Sequence, residues 1–231
     1  MKVVVLTGAG ISAESGIATF RDADGLWHGH HFDDVATPEA YRRDREIVHR
    51  FYDDRRRELR EVEPNPAHLA LARLELLLGD NLLVVTQNVD DLHERAGSRR
   101  VVHIHGELLS ALCEACEGRF AWDDDLADSP ACPACGDNAL RPDVVWFGEM
   151  PYDLDVVEQA LAEADVFVSI GTSGAVYPAA GFVRIAARSG AATLELNLDP
   201  SETSHLFDDV RHGPAGTLVP EWVSIVERRV R

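Results

Sequence analysis

The sequence predicts an α/β protein with a Rossmann-like parallel sheet and a small additional module, and three observations lead to this prediction. The chain opens on an apolar run at 3–6, followed at once by the turn Gly8-Ala9-Gly10. Further strand-like segments at 81–86, 166–170 and 193–196 each lead into polar or glycine residues, a pattern typical of parallel βα units. Four cysteines lie close together in two pairs, which indicates the separate module.

The turn after the first apolar run matches a dinucleotide-binding fingerprint. Residues 8–13, Gly-Ala-Gly-Ile-Ser-Ala, follow the pattern G-x-G-x-x-G/A. Gly8 and Gly10 allow a sharp turn and close approach of a ligand, and a helix opening after them would present free N–H groups to a phosphate. A tight turn without a ligand is the alternative, but the position directly after a strand favours nucleotide binding.

The length of 231 residues predicts one large domain with room for a small insertion, and a hydrophobic content of 45 % is ample for a core. The apolar runs are far shorter than a membrane span, and the N-terminus does not read as a signal peptide. We therefore expect a cytoplasmic protein without a membrane partner.

The charge balance bears on the choice of partner. With 40 acidic and 22 basic residues, the net charge is −18, which argues against nucleic acid because phosphate binding requires clustered basic charge. An acidic surface attracts cationic partners such as lysine-rich protein segments, although a merely solvated acidic surface explains the same balance.

The cysteines have the spacing of a zinc ribbon. Cys113 and Cys116 form one C-x2-C pair, fifteen residues follow, and Cys132 and Cys135 form the second pair. This spacing predicts tetrahedral Zn²⁺ coordination. Four thiolates close the coordination shell, so we expect a structural zinc rather than redox or disulfide chemistry.

An arginine in an apolar stripe raises a question. Thr37 and Pro38 predict a helix start. In the helical sequence that follows, the residues on one face are Val48, Phe51, Tyr52, Leu59 and Val62. Arg55 shares this face, three residues after Tyr52, so both side chains can point into one pocket and receive a carboxylate there. The pattern alone favours an internal salt bridge, or an arginine extended to solvent.

Polar residues follow the predicted strands. Gln87, Asn88 and Asp90 come after one of them, and ligands of open α/β sheets bind at such carboxyl ends. His103 and His105 share one strand face, and His105 is the better candidate base because Gly106 allows a ligand to approach beside it.

The glycine fingerprint alone would also suit a dehydrogenase. That class requires an acidic residue at the end of the second strand, about 20 residues further on. Asp33 and Asp34 lie near that distance, but no strand pattern precedes them.

Together these motifs resemble the sirtuins, NAD-dependent protein-lysine deacylases, over essentially the whole chain. The resemblance rests on Gly8 to Ser12, Gly16-Ile17, Phe20-Arg21, Gln87-Asn88-Val89-Asp90, His105-Gly106, the four cysteines, Phe147-Gly148-Glu149, Gly171-Thr172-Ser173 and Asn197. The subgroup that removes succinyl and malonyl groups has a Tyr-x-x-Arg pair and a small residue in its acyl pocket, which Tyr52, Arg55 and Ala36 match. The resemblance thus implies that Arg55 meets the distal carboxylate of the acyl group.

The sirtuin resemblance also implies the domain organisation. It indicates a single catalytic domain over 1–231, with NAD and acyl-lysine entering one cleft from opposite sides. Its expected parts are Rossmann-like segments at 1–30, 80–110 and 144–231, a helical insertion at 31–79 and a zinc ribbon at 111–143.

The resemblance assigns roles to single residues. The implied NAD contacts are Gly8, Ala9, Gly10, Ser12, Ala13, Gly16, Ile17, Phe20, Arg21, Trp27, Gln87, Asn88, Val89, Asp90, Gly171, Thr172, Ser173, Asn197, Leu198, Asp199 and Ala215. The implied substrate contacts are Ala36, Tyr52, Arg55, Val145, Trp146, Phe147, Gly148 and Glu149. The peptide would pair as an added strand between 145–149 and 174–177, and the loop from Phe20 to Trp27 would cover the nicotinamide.

The implied reaction consumes NAD. The acyl oxygen attacks C1′ of the nicotinamide ribose, His105 acts as general base on the ribose hydroxyls, and Asn88 and Asp90 hold the nicotinamide half. The 2′-oxygen then attacks the resulting imidate, and water releases free lysine and 2′-O-acyl-ADP-ribose, with nicotinamide as the other product. We expect a monomer whose partners are acyl-lysine segments of other proteins. A plain deacetylase with a structural Arg55, or a non-catalytic NAD-binding zinc-ribbon module, are the alternatives.

Overall fold

The structure, a computed structural model, describes residues 1–18 and 30–230. The strands in this part of the chain are β1 (Val3–Thr7), β2 (Leu82–Thr86), β3 (Val101–His103), β4 (Gly106–Cys113), β5 (Arg119–Ala121), β6 (Leu140–Val144), β7 (Val166–Ile170), β8 (Ala192–Asn197) and β9 (Asp209–His212). Its α-helices are α1 (Phe32–Val35), α2 (Pro38–Arg43), α3 (Arg45–Arg60), α4 (Pro66–Leu78), α5 (Leu92–Arg95), α6 (Leu154–Glu163), α7 (Phe182–Arg188) and α8 (Ala215–Val230). None of these helices has both the length and the apolar character that crossing a membrane requires.

The large sheet is parallel and has the strand order β3-β2-β1-β7-β8-β9. This arrangement confirms the predicted Rossmann-like sheet. The chain moves outward from β1 on one side and from β7 on the other, so the strand order reverses between these two strands. Ligands of such sheets bind at this reversal, outside the carboxyl ends of the strands.

Both faces of the large sheet are covered, which explains its uninterrupted apolar strands. Val3 and Val5 of β1 point to the face that packs against α4 and α8. Val4 and Leu6 point to the opposite face, which packs against α6 and α7. Because successive side chains of a strand alternate between faces, a strand covered on both sides buries every residue.

The small sheet has the antiparallel order β5-β4-β6, and the cysteine pairs lie at the end of β4 and in the segments that connect its strands. Its strand β4 connects two predicted features directly, because it begins just after His105 and ends at Cys113. Gly106, the first residue of β4, has φ +79°, and a Cβ there would lie 2.1 Å from the Asp143 oxygen. A glycine is therefore required beside the predicted base.

The helical region between β1 and β2 differs in detail from the prediction. Thr37 caps α2 as expected, its hydroxyl accepting from Ala40 N at 3.0 Å. Asp44 follows α2 and caps α3, accepting from Ile47 N at 3.0 Å. Because α3 ends at Arg60, Val62, which the sequence pattern places on the apolar helical face, lies beyond it.

The last helix of this region, α4, packs into the core of the large sheet together with α8. The other three, α1 to α3, contribute to a separate cluster with Leu108, Val144 and Trp146. We therefore propose that the helical insertion ends near residue 65 rather than at 79.

Candidate functional site

The predicted nucleotide turn lies against the loop that follows β7. Gly8 N donates to Ile170 O at 3.0 Å, and Gly10 N donates to Gly171 O at 2.9 Å. A Cβ on Gly10 would lie 2.7 Å from Gly171 Cα, and one on Gly171, whose φ is +62°, would lie 2.4 Å from Ile11 N. These glycines are therefore required because two strand ends pack backbone to backbone at the strand-order reversal.

The α-helix expected after this turn is absent from the described residues 8–18. Two 3-10 helices, Ala9–Ile11 and Ala13–Ser15, take its place. Ile11 N donates to Gly8 O and Ser12 N donates to Ala9 O, while the Gly10 amide is used as described above. The residues after the turn therefore lack the α-helix start that the prediction assumed, and the amides of Gly10, Ile11 and Ser12 are already hydrogen-bonded within the protein.

Three of the predicted site residues form one buried network. Ser12 Oγ donates to Asp90 Oδ2 at 3.0 Å, and Asn88 Nδ2 donates to Ser12 Oγ at 3.1 Å. All three side chains are more than nine-tenths buried. Burial raises the pKa of Asp90, and hydrogen bonds from Leu92 N and Ser12 oppose that shift. The network joins the turn after β1 to the residues after β2.

His105 is arranged as a base. Its Nδ1 lies 3.1 Å from Gln87 O. Because a carbonyl oxygen only accepts, Nδ1 carries the ring proton and Nε2 is the basic nitrogen. Burial lowers the pKa of His105 from its ordinary value of 6.5, so the neutral ring predominates at pH 7.

His103 is held at both ring nitrogens and is therefore poorly suited to proton transfer. Nδ1 contacts Asn88 O at 3.1 Å, and Nε2 contacts Glu94 Oε1 at 3.0 Å. Burial opposes the charged form of His103, but the Glu94 carboxylate outweighs it and raises the pKa. The preference for His105 over His103 thus has a structural basis.

The loops after β7 and β8 meet beside the same turn. Asn197 Nδ2 donates to Thr172 O at 2.8 Å, and Ser169 Oγ and Thr172 Oγ1 lie 2.9 Å apart. The start of α8 is joined to this region by Glu14, whose carboxylate accepts from Gly216 N at 2.8 Å. Sequence reasoning missed Glu14, because its partner is 202 residues away in the chain.

The predicted nucleotide-contact residues thus fall into two groups. Those after β1, β2, β7 and β8 converge on the carboxyl edge of the sheet, with Leu198 and Asp199 exposed beside Asn197 and Ala215 at the start of α8. The predicted cover residues Phe20, Arg21 and Trp27 lie outside the described residues.

The predicted acyl pocket combines α3 with the segment after β6. Ala36, Tyr52 and Trp146 are buried in one cluster. Trp146 Nε1 donates to the Tyr52 hydroxyl at 3.0 Å, and Phe147 N donates to Ala36 O at 3.0 Å. Burial raises the pKa of Tyr52 further above its ordinary value of 10.0, so the phenol stays protonated and able to donate.

Arg55 forms the salt bridge that the sequence pattern favoured and keeps a further donor. Its Nε and Nη2 donate to the two carboxylate oxygens of Glu58 at 2.9 and 2.8 Å. Its guanidinium carbon lies 4.8 Å from the centre of the Phe51 ring. Among the described residues its buried Nη1 has no hydrogen-bond partner. An unsatisfied buried donor costs about 1–3 kcal/mol, so a ligand acceptor there would be favourable.

A second arginine on α3 is more deeply buried and was not predicted. Arg56 Nη1 donates to Asp53 Oδ1 at 2.6 Å, and Arg56 Nε donates to Leu108 O of β4 at 2.9 Å. Asp53 also accepts from Leu126 N at 2.9 Å and Ala127 N at 3.0 Å. The i,i+3 spacing of Asp53 and Arg56 was a usable signal, since such pairs face each other on a helix.

The segment predicted to bind the peptide backbone is held by an ion pair that sequence reasoning also missed. Arg141 Nη1 and Nη2 donate to the two oxygens of Glu149, both at 2.8 Å. Glu149 Oε2 accepts from Trp146 N at 2.9 Å, and the Arg141 guanidinium lies 3.9 Å from the centre of a Trp146 ring. Val145 N donates to His105 O at 2.9 Å, which anchors the segment beside the base.

The four cysteines have the geometry of a zinc site. Their Sγ atoms all lie within 4.8 Å of one another, and the Cys113–Cys135 and Cys116–Cys132 separations are 3.7 and 3.8 Å. Tetrahedral coordination at a Zn–S distance of about 2.3 Å requires sulfur atoms about 3.8 Å apart. The set is therefore compatible with one structural Zn²⁺ and too widely spaced for disulfides.

Removing this metal should unfold the small sheet. We expect about one zinc per purified chain, with a lower unfolding temperature after chelation, because four unpaired thiols cannot hold the ribbon together. A chromogenic chelator would measure the zinc released, and circular dichroism would measure the unfolding temperature. Re-addition of zinc should restore it. Metal-free protein with unchanged unfolding would contradict the assignment.

Comparison with known proteins gives consistent matches. The sequence profile of the Sir2 family matches residues 8–178. A protein of Yersinia pseudotuberculosis serotype I (strain IP32953) named NAD-dependent protein deacylase is 58 % identical over 224 residues, which are 96 % of this chain and 81 % of that protein. One of the same name from Pasteurella multocida (strain Pm70) is 54 % identical over 227 residues, 97 % of both chains.

Solved structures agree with the sequence matches. A Sir2 homologue in complex with NAD superposes with a TM-score of 0.91 at 42 % identity, covering 100 % of this chain and 91 % of that one. A Sir2 protein bound to a myristoylated histone peptide superposes with a TM-score of 0.77 at 33 % identity, covering 99 % and 92 %.

Proposed function

From the premise that this chain belongs to the Sir2 family and is an NAD-dependent protein deacylase, we propose that it removes succinyl and malonyl groups, and acetyl groups as well, from lysine side chains. Its substrates would be acylated segments of other proteins, as the histone peptide in one similar structure suggests. The excess of acidic residues would favour encounter with lysine-rich segments. It would act as a cytoplasmic monomer, without nucleic acid.

The single observation that carries the proposal of succinyl and malonyl removal is the environment of the Arg55 side chain. A cation packed against Phe51 of an apolar cluster, with a buried donor at Nη1, suits the distal carboxylate of a succinyl or malonyl group. Tyr52 supports this placement, because it lies one helical turn before Arg55 in the same cluster as Phe51 and its hydroxyl is fixed by Trp146 Nε1. The acetyl group lacks a distal carboxylate and would leave Arg55 unused.

The remaining residues would serve the reaction at the ribose. NAD supplies an electrophilic ribose carbon when its nicotinamide departs. His105 would take a proton from a ribose hydroxyl at Nε2, and Gln87 O would hold the ring in the required tautomer. Asn88 and Asp90, fixed by Ser12, would bind the nicotinamide half. Attack of the ribose 2′-oxygen on the acyl carbon, followed by addition of one water, would release lysine, so the products would be nicotinamide, lysine and 2′-O-acyl-ADP-ribose.

The cofactor and peptide would be held by the loops described above. The turns after β1, β7 and β8 would surround the pyrophosphate and adenosine ribose, since they meet at the strand-order reversal. The segment 145–149, held by Arg141, would pair with the substrate backbone opposite 174–177.

Arg55→Met tests the acyl assignment. We expect kcat/KM for a succinyl-lysine peptide to fall by about 10- to 100-fold, because a lost charge-assisted hydrogen bond is worth about 1.5–3 kcal/mol. The acetyl-lysine version of the same peptide should be spared. Mass spectrometry of the ADP-ribose product would measure both rates. The matched control is Arg57→Met on the exposed face of α3.

A plain deacetylase with a structural Arg55 is the second candidate, and the Arg55–Glu58 pair favours it. In that case Arg55→Met would lower the rates for both peptides equally, and the wild-type protein would favour acetyl-lysine over succinyl-lysine. Either result would remove Arg55 from the acyl pocket.

A further inference from the structure

Glu58 occupies one of the two edges that Arg55 can offer to a carboxylate. A guanidinium presents two pairs of parallel N–H groups, one from Nε and Nη2 and the other from Nη1 and Nη2. Glu58 accepts bidentately on the first pair, at 2.9 and 2.8 Å. The second pair includes Nη1, which is buried and has no partner in the part of the chain that the structure describes.

The two partners differ in exposure. The Arg55 side chain is 14 % exposed, whereas that of Glu58 is 54 % exposed. They lie at i,i+3 on α3, where ion pairs with one exposed partner contribute little to stability. Arg55 is also held from another side by the Phe51 ring. The fold therefore does not depend on the Arg55–Glu58 pair, and another role for Glu58 becomes relevant.

We propose that Glu58 determines how strongly the site prefers acidic acyl groups, because its carboxylate neutralises Arg55 and repels a second carboxylate on the same guanidinium. This inference rests on the proposed function, since it takes Arg55 as the receptor for the distal carboxylate. Glu58 thereby weakens binding of succinyl- and malonyl-lysine and leaves acetyl-lysine nearly unaffected. As a result, the protein accepts a broader range of acyl groups than it would if Arg55 had no anionic partner.

Glu58 could change the acyl preference either by repelling the carboxylate of the acyl group or by orienting Arg55, and the expected energies favour repulsion. An exposed i,i+3 ion pair holds its arginine in place only weakly. Two carboxylates on adjacent edges of one guanidinium, which share Nη2, are close enough to repel each other appreciably, because Arg55 packs against Phe51 of an apolar cluster and the charges there are poorly screened. The neutral acetyl group carries no charge to be repelled, so the effect is confined to acidic acyl groups.

Glu58→Gln tests this inference, because it keeps the shape of the side chain and removes its charge. With saturating NAD and succinyl-, malonyl- and acetyl-lysine versions of one peptide, we expect KM for the two acidic peptides to fall by about 3- to 10-fold. The acetyl KM and all kcat values should stay unchanged. Higher ionic strength should narrow the difference between wild type and variant.

Asp54→Asn is the matched control, since it removes one negative charge from the exposed face of α3, where Asp54 pairs with Arg57 instead of Arg55. It should leave all three KM values unchanged. A higher succinyl KM in Glu58→Gln would show that Glu58 orients Arg55, and equal changes for all three peptides would show a general effect. Either result would overturn the inference.

The failure of this inference is distinguishable from that of the proposed function. If Arg55→Met lowers the rates for acidic and neutral peptides equally, the acyl-pocket assignment fails and the role of Glu58 fails with it. If Arg55→Met is selective but Glu58→Gln does not lower the succinyl KM, only the role of Glu58 is wrong.

Discussion

Replacing His105 with alanine is expected to lower kcat by about 10²- to 10⁴-fold, the range that a positioned general base contributes. The Nε2 atom carries the basic lone pair, and the Gln87 carbonyl fixes that tautomer. His105 is only partly buried and its ring bonds to the Gln87 backbone carbonyl, so the unfolding temperature should change little. His103→Gln is the matched control, because it alters the neighbouring histidine, which ends β3 and contacts Asn88 O.

The measurement is nicotinamide release at saturating peptide and NAD, together with the KM of each substrate. A loss of kcat with little change in either KM would assign His105 to the chemical step. Activity that persists within a few-fold in His105→Ala, or an equal loss in His103→Gln, would remove His105 from its proposed role.

The pH profile provides an independent test of the same residue. Burial lowers the pKa of His105 below 6.5, so the neutral base is present throughout the neutral range. Log kcat/KM should therefore be flat around pH 7 and fall with unit slope only below the lowered pKa. A fall in log kcat/KM centred above pH 6.5 would mean that the pKa of the base is raised, the opposite of the shift that burial produces.

The cysteine pairs and the strands were predictable because their signals are local. C-x2-C spacing constrains four sulfur atoms within a short stretch, and the sulfur separations agree with one metal ion. Apolar runs likewise predicted the central strands, since a strand covered on both faces shows its burial directly in sequence. The short, partly exposed β9 has no such signal and was missed.

Other features were invisible because their partners are distant in the chain. The spacing of Gly8 and Gly10 indicated a nucleotide turn, but the close contact with Gly171 depends on β1 and β7 being neighbours. On α3, periodicity placed Arg55 on the apolar face, yet Arg56 is buried far more completely. Its acceptor on β4 lies 52 residues further along the chain, a distance that no helical pattern reveals.

Arg56 and Asp53 form a buried ion pair. We expect Asp53→Ala to lower the free energy of unfolding by about 3–5 kcal/mol, because removing one partner of a buried ion pair leaves the other charge uncompensated. The Asp53 and Arg56 side chains are 0 % and 1 % exposed, so the Arg56 charge would remain in the core without its counter-ion. Two amides, Leu126 N and Ala127 N, would lose their acceptor as well. Urea unfolding of the zinc-loaded protein would measure the difference.

Two control variants distinguish the effect of losing the Asp53 charge from the effect of losing its hydrogen bonds. Asp54→Ala alters the neighbouring exposed carboxylate and should cost less than about 1 kcal/mol. The double variant Asp53→Leu/Arg56→Met removes both charges and should recover part of the loss, because apolar replacements of buried ion pairs are often tolerated. Recovery should stay incomplete, since the amides of Leu126 and Ala127 still lack an acceptor.

The position of the Asp53–Arg56 pair explains why breaking it would also disturb the active site. Leu126 packs in the same small core as Cys113 and Cys132, and Leu108 lies on β4 between His105 and the first cysteine pair. Asp53 and Arg56 therefore join α3, with the predicted acyl pocket, to both the ribbon and the strand beside the base. A destabilisation below about 1 kcal/mol in Asp53→Ala would mean that the pair is solvated in solution and does not join these parts.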